Sequence, residues 1–378
     1  ETYGCANSKV ACTFSLAICS LGLSAAWGGL QLPRLVPRRL AVAGGVLFGL
    51  GYLLAALALS WKSLVLLYLG YGVIGGIGLG LGYVTPVATV AKWFPDKKGL
   101  ATGMVIMGFG FGALLMSKLV APWLMNLSGG NLVAVFAWLG VGFMAATATV
   151  GLFLRNPPEG FAPPGGRGAA GTAPAAPGEP ESSDAWRAVV GPTFALMWLV
   201  FFCNILAGIS IISFQSPLFQ SLWHRLHPEL SAAALASYGA SLIAVSSVLN
   251  GVGRMFWGAV SDHIGRVQTF RVMLASQIVV FGLLMVVDNP WVFGGLICYV
   301  LLCYGGGFGT MPAFVLDVFG KWLMATVYGT ILTAWSAAGI VGPQLVAFLT
   351  DRCPDRASTW SFASGAAFLA LGLVLSIF

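Results

Sequence analysis

Charged residues are scarce in this chain of 378 residues. Lys, Arg, Asp and Glu together make up 8% of it, whereas soluble domains average roughly 25%. Hydrophobic residues make up 58%, and the mean hydropathy is +0.89. This balance excludes an ordinary soluble domain and indicates a chain that lies in a lipid bilayer.

Groupings typical of metal sites and of catalysis are also missing from the sequence. The seven cysteines form no CxxC pair and no Cys/His cluster, and the histidines (His224, His227 and His263) stand near the ends of apolar runs. The sequence does not arrange a nucleophile, a metal-binding cluster or a general base on one wall of a predicted cavity. The sequence therefore predicts neither an enzyme nor a resident cofactor. No Asp or Glu stands in the middle of an apolar run of this sequence. The sequence therefore disfavours proton symport through an acidic residue buried in the membrane.

Long apolar runs recur along the whole chain, each close to the roughly 20 residues that a helix needs to cross a bilayer. The runs are continuous rather than alternating, which favours helices over the strands of a barrel. They are bounded by Pro, Gly and charge. The sequence predicts eleven membrane spans: 9–30, 40–60, 64–91, 99–126, 132–154, 193–222, 232–257, 267–287, 291–316, 322–350 and 360–378.

Basic residues alternate between successive loops, as expected when the runs cross a membrane and cytoplasmic loops collect Lys and Arg. Five stand on one side: Lys9, Lys62, Arg225, Arg352 and Arg356. Twelve stand on the other: Arg34, Arg38, Arg39, Lys92, Lys97, Lys98, Arg155, Arg167, Arg187, Arg266, Arg271 and Lys321. The net charge of +7 thus follows topology and does not predict a nucleic-acid partner.

By the same charge pattern, both ends of the chain lie on the outer side of the membrane, which predicts one further span ahead of Glu1. We expect a multi-pass integral membrane protein.

One long segment lacks apolar periodicity and is rich in Pro, Gly and Ala, a composition that cannot bury a core. It predicts a cytoplasmic linker over residues 156–192. The linker separates an N-terminal helical half, 1–155, from a six-helix half, 193–378. Two such halves suit alternating access, in which they rock about a site near the membrane midplane.

Arg254 stands inside an apolar helix, in the stretch NGVGRMFWGAVSDHIGR over residues 250–266. A charge in mid-membrane costs at least about 2.5–3.5 kcal/mol, so it usually faces an aqueous cavity and a partner. The planar guanidinium matches a carboxylate with two parallel hydrogen bonds. The alternative is that Arg254, eight residues before Asp262, snorkels to the cytoplasmic interface. Asn250 is a further polar candidate for a cavity wall.

Several motifs resemble the oxalate/formate antiporter family of the major facilitator superfamily, which is similar to monocarboxylate transporters. They are KWFPDKKGLATG at 92–103, GGGFGTMPAFVLDVFG at 305–320, RNPPEG at 155–160, YGTILTAWSAAGIVGP at 328–343 and the stretch that holds Arg254. The resemblance implies an all-α membrane fold of twelve helices in two six-helix halves, with a central cavity for small carboxylates. By this resemblance Arg254 stands at the position of an arginine that binds the substrate in the family. Trp335 stands at the position of a lysine that is the family's second cationic ligand for the substrate. It also implies that Tyr83, Phe109 and Tyr304 line the cavity, with Phe109 in place of a tyrosine.

The loop GAVSDHIGR, residues 258–266, resembles the superfamily's loop signature. By that resemblance Asp262, with Gly258 and Arg266, forms a conformational latch; the alternative is a plain solvated turn. At the corresponding earlier position the chain has Pro33 in place of an acid. Asp317 stands four residues before Lys321, a spacing that predicts a helical ion pair.

Together these features predict a monomeric secondary transporter whose partners are a small organic anion and the lipid bilayer. A single cation favours a monocarboxylate such as formate, lactate or pyruvate, because a second carboxylate would be left unpaired. A transporter of a neutral solute or drug is one alternative. A transport-dead membrane sensor with the same fold is the other.

Overall fold

The computed structural model describes residues 7–94, 97–158, 182–353 and 356–378, and all regular structure in these ranges is helical. The helices are α1 (Asn7–Gln31), α2 (Pro37–Ser60), α3 (Leu64–Leu67), α4 (Gly76–Trp93), α5 (Lys98–Leu115), α6 (Ala121–Leu127), α7 (Leu132–Gly151), α8 (Ser182–Val190), α9 (Pro192–Leu226), α10 (Ala232–Ile264), α11 (Arg266–Leu284), α12 (Pro290–Ile331), α13 (Thr333–Arg352) and α14 (Ala357–Leu375).

Two π-helical segments keep neighbouring helices continuous. Tyr68–Gly75 joins α3 to α4, and Met116–Val120 joins α5 to α6. In contrast, α12 is interrupted at Gly320, whose φ of 76° lies in the left-handed region that only glycine adopts without strain. Helix α12 therefore consists of two helices, one before Gly320 and one after it, which meet at a kink without an intervening loop.

All eleven apolar runs predicted from the sequence fall on helical segments. With α12 divided at Gly320, their ends agree within about four residues, except that α10 continues beyond the predicted end at 257 to Ile264. Within the described ranges, nine helical stretches are long and apolar enough to cross a membrane. One of them, Pro290–Arg352, holds two of the predicted runs on either side of Gly320. The predicted run 99–126 lies on α5 and α6, outside those nine.

Several helices begin or end at residues suited to that place. The side-chain oxygen of Ser231 accepts a hydrogen bond from the backbone N–H of Ala234 at the start of α10. Asn131 caps α7 in the same way. Gly265, with a φ of 87°, ends α10 and allows α11 to begin at the next residue. The tight turn at Gly265 is what brings Asp262 and Arg266 close together.

The chain forms two compact units, and neither is continuous in sequence. Unit 1 contains residues 1–101, 120–195 and 312–336; unit 2 contains residues 102–119, 196–311 and 337–378. The division into halves at 155 and 193 stays a prediction. Most of the proposed linker lies outside the described residues, and the end of its range forms α8.

In unit 1, α1 packs against the segment 325–336 through hydrogen bonds that reach main-chain carbonyls. Thr326 Oγ1 donates to the carbonyl oxygen of Gly29 at 3.2 Å, and Ser336 Oγ donates to that of Ile18 at 2.7 Å. In unit 2, the buried side chains of Asn204 and Gln277 join α9 to α11, with Gln277 Nε2 donating to Asn204 Oδ1 at 2.9 Å. Each unit thus joins helices that are far apart in sequence.

Candidate functional site

Arg254 lies in α10 with its side chain buried inside unit 2, where only 4% of the residue is exposed. Its Nη1 donates to the carbonyl oxygen of Ile106 in α5 at 3.1 Å. Its Nε lies 3.5 Å from Oδ1 of Asn250, one turn earlier on the same helix. Across the described parts of the chain, no carboxylate lies within ion-pair distance of the guanidinium.

Two aromatic rings flank the guanidinium of Arg254. Its central carbon lies 5.5 Å from the ring centroid of Phe109 on α5 and 5.0 Å from that of Phe308 on α12. At such distances the negative ring face attracts a cation. Tyr304 meets Phe308 edge to face, with centroids 5.3 Å apart. The structure therefore brings together four predicted site residues, namely Arg254, Phe109, Asn250 and Tyr304, within unit 2.

Glycines on both neighbouring helices hold the main chain of α10 at this turn. A Cβ added at Gly103 on α5, or at Gly309 on α12, would overlap the carbonyl oxygen of Arg254. A Cβ at Gly305 would overlap the carbonyl oxygen of Asn250 in the same way. Small residues allow such close helix packing in membranes. The backbone of Arg254 is thus fixed from two sides, which orients its side chain.

Tyr83 and Trp335, the two other predicted lining residues, lie together in unit 1. Their ring centroids are 6.0 Å apart, and Tyr83 also stacks on Tyr328 at 6.5 Å. The hydroxyl of Tyr328 donates to that of Tyr83 at 3.5 Å. All three side chains are buried. They form a second aromatic cluster, built from α4, α12 and α13.

The predicted latch residues form one connected group in unit 2. Arg266 Nη1 lies 2.7 Å from Asp262 Oδ1, and both side chains are largely shielded from solvent. Arg266 also contacts the hydroxyl of Ser261, which in turn donates to the carbonyl oxygen of Gly258 at 2.7 Å. The alternative of a plain solvated turn would leave these side chains exposed. A role in conformational change stays a prediction.

A second ion pair, in unit 1, joins a helix of the first half of the sequence to one of the second half. Lys98 Nζ, at the start of α5, lies 2.8 Å from Asp317 Oδ1 on α12, with side chains 26% and 37% exposed. The spacing of Asp317 and Lys321 indicated a local pair, whereas Lys98 is 219 residues away. The amine of Lys321 lies over the ring of Trp322.

Sequence reasoning did not single out Phe308, Tyr328 or Ser261. Phe308 stands in the motif GGGFG, which supported the family resemblance but did not indicate which ring would reach Arg254. Tyr328 opens the motif that contains Trp335 about two helical turns later, and both rings contact Tyr83. Ser261 immediately precedes Asp262, so the latch motif itself contained that signal.

A family model described as the Major Facilitator Superfamily matches residues 6–343. The chain belongs to the Major Facilitator Superfamily. The superfamily that the sequence motifs indicated is thereby confirmed, and so is the all-α membrane fold. With its apolar helices, this Major Facilitator Superfamily member is a multi-pass integral membrane protein.

Curated relatives of this superfamily member include several organic-anion carriers. The apicoplast pyruvate carrier 1 of Toxoplasma gondii is 30% identical, over 88% of this chain and 67% of its own length. The oxalate:formate antiporter of Oxalobacter formigenes is 26% identical, over 93% of this chain and 78% of its own. Human monocarboxylate transporter 11 is also 26% identical, over 93% of this chain and 70% of its own.

Solved structures support the fold of this superfamily member. A crystal structure of the transporter FucP in the outward conformation superposes with a TM-score of 0.72, covering 100% of this chain and 91% of that chain at 14% sequence identity. The human organic anion transporter MFSD10 superposes with a TM-score of 0.61, covering 96% and 82% at 17% identity. At these identities the likeness shows the fold alone.

Proposed function

We propose that this transporter moves a small monocarboxylate, such as formate, lactate or pyruvate, across a membrane by alternating access. The observation that carries the proposal is the buried guanidinium of Arg254, which has no carboxylate partner among the described residues and lies between two aromatic rings. A buried cation that lacks a protein anion is stabilised when a substrate supplies one.

The hydrogen-bonding capacity of Arg254 fits a carboxylate. A guanidinium carries five N–H donors, and the described residues accept two of them, at Ile106 and Asn250. Two parallel bonds to one carboxylate need two more donors. The alternative that Arg254 snorkels to the interface would leave its charge exposed, and its low exposure argues against that.

The charge of the substrate follows from the number of buried cations. Among residues whose burial is described, Arg254 is the only buried Lys or Arg. A dicarboxylate would place a second anionic group without a matching buried cation, which is costly away from water. One carboxylate is therefore the substrate charge that the site best accommodates. The relatives that carry pyruvate and monocarboxylates in their names support this choice.

Uptake into proteoliposomes tests the proposal. Vesicles carrying the full-length protein are given radiolabelled formate, lactate, pyruvate or oxalate, with glucose as a neutral solute. We expect saturable uptake of at least one monocarboxylate, inhibited by the other monocarboxylates more strongly than by oxalate. Uptake of the neutral solute alone would replace the anion proposal with that of a neutral-solute carrier. Uptake of none of the solutes would favour a membrane sensor.

Lys98 and Asp317 form an ion pair, so we expect the transport rate to depend on opposite charges at these two positions. Alternating access requires helices from the two sequence halves to separate and rejoin, and this pair stabilises a state in which α5 and α12 are joined. Partly exposed ion pairs contribute up to about 1 kcal/mol. We therefore expect Lys98→Asp or Asp317→Lys to lower the maximal uptake rate up to about fivefold.

The exchanged double variant, Lys98→Asp with Asp317→Lys, provides the decisive comparison, because it restores opposite charges at the same two positions. Its maximal rate should return to within about twofold of the wild type, as expected when the lost interaction is the pair itself. A double variant as slow as either single one would show that the pair has no part in the transport cycle. Lys62→Asp, at an exposed position outside this pair, controls for net charge.

A further inference from the structure

A groove on the surface of unit 1 combines an apolar floor with two arginines at one end. It has a volume of about 750 Å³ and lies beside the first turns of α2. Its apolar lining is Val36, Val42, Ala43, Val46, Leu47 and Leu152. Arg38 and Arg39 complete it. Both arginines are exposed, and neither forms an ion pair with any residue that the structure describes.

Glycine packing between α2 and α7 explains why this part of α2 presents a long apolar side. A Cβ at Gly45 would lie 2.5 Å from Thr147 Oγ1, and one at Gly49 would lie 2.5 Å from the carbonyl oxygen of Gly140. These glycines turn towards α7, so the larger side chains of this stretch line the groove. Val46 remains 39% exposed and Leu152 40% exposed.

The dimensions of the groove match one leaflet of a bilayer. Val36 and Leu47 are eleven residues apart, which is roughly 16 Å along a helix at 1.5 Å per residue. Half of a hydrocarbon core of about 30 Å is nearly the same length. The arginines lie at the end of α2 that follows the first basic loop, the side that the charge pattern assigns to the cytoplasm. The cytoplasmic leaflet is also the one that carries anionic lipids.

We propose that this groove binds an anionic phospholipid of the cytoplasmic leaflet. The phosphate of the lipid pairs with Arg38 and Arg39, and one acyl chain lies along the apolar side chains towards Leu47. Arginine is suited to the headgroup because its fork donates two hydrogen bonds to a phosphate. The site is separate from Arg254 and does not depend on which solute the protein transports.

Native mass spectrometry of the delipidated full chain tests this proposal. Dioleoylphosphatidylglycerol and dioleoylphosphatidylcholine, which share acyl chains but differ in net charge, are titrated separately. We expect tighter binding of the anionic lipid, and a loss of about fivefold in its affinity for each arginine replaced in Arg38→Gln and Arg39→Gln. Arg34→Gln, in the basic loop just before α2 and outside the groove, should change the affinity less than about twofold. Equal binding of the two lipids, or an equal loss in Arg34→Gln, would overturn the proposal.

A second pair of variants tests the apolar part of the groove with both charges in place. Ala43→Phe fills the groove and should weaken the binding of both lipids. Leu50→Phe, at an exposed position on the same helix beyond the groove, should leave both unchanged. Glycerol phosphate, which carries a phosphate without acyl chains, should not displace bound lipid. If it does so, or if Ala43→Phe binds lipid as the wild type does, the arginines form a surface anion site and the lipid proposal is wrong.

Discussion

Arg254→Ala is expected to lower kcat/KM for monocarboxylate uptake about a hundredfold, because removing one partner of a buried, hydrogen-bonded charge pair costs about 2–5 kcal/mol. Arg254→Lys keeps the charge but replaces the planar fork with a point charge, so it should lose about tenfold. The measurement is the initial rate of uptake into proteoliposomes over a range of substrate concentrations.

Arg225→Ala is the matched control for the loss of an arginine. Its side chain is 64% exposed and pairs with Asp288 at the surface, where an ion pair contributes little. We expect its uptake to equal that of the wild type. Uptake unaffected by both Arg254 variants would remove this residue from the binding site.

A binding measurement separates a lost ligand contact from a damaged protein. A saturating monocarboxylate should raise the midpoint temperature of unfolding of the wild type, since a ligand that binds only the native state stabilises it. The same solute should not stabilise Arg254→Ala. Stabilisation of Arg254→Ala equal to that of the wild type would show that another residue binds the carboxylate.

Gly309→Ala and Gly103→Ala should each destabilise the folded protein by about 1–3 kcal/mol, the usual effect of forcing extra volume into a packed interior. In both variants the new methyl group would overlap the carbonyl oxygen of Arg254. A main-chain atom of a packed helix cannot turn aside as a flexible side chain can. Thermal unfolding in detergent, followed by tryptophan fluorescence, should show a lower midpoint temperature for both variants. Uptake should fall as well, because α10 must shift and carry the guanidinium with it.

Gly108→Ala is a control on the same helix as Gly103. Apart from its two chain neighbours and the backbone of its own helix, no residue that the structure describes has an atom within 4 Å of a Cβ added at Gly108. Since alanine favours a helix more than glycine does, this variant should be as stable as the wild type or slightly more so. If Gly108→Ala and Gly103→Ala were equally harmful, the damage would come from replacing glycine in general, and the close contact with Arg254 would not explain it.

The helices and the candidate arginine could be predicted from the sequence because both depend on local signals. A bilayer requires long apolar runs, and a charge within such a run is visible without any knowledge of its neighbours. The partners of Arg254 could not be predicted in this way. Whether the ring of Phe308 or another ring reaches the guanidinium depends on how α10 and α12 cross, and one sequence does not show that crossing.

Asp317 shows the same limit for charged pairs. Sequence spacing favours Lys321, four residues away, since neighbours at that distance share a helix face. The structure pairs Asp317 with Lys98, because unit 1 brings the start of α5 next to α12. A contact between residues so far apart in the chain leaves no periodic signal in one sequence.

The discontinuous composition of unit 1 has a consequence for biosynthesis. The segment 312–336 belongs to this unit, together with residues 1–101 and 120–195. Chains are made from the N-terminus at about 5–20 residues per second, and early segments normally fold first. The early helices of unit 1 therefore cannot complete their packing until residue 336 has left the ribosome. During that interval the faces of α1 that later contact Thr326 and Ser336 have not yet met these partners.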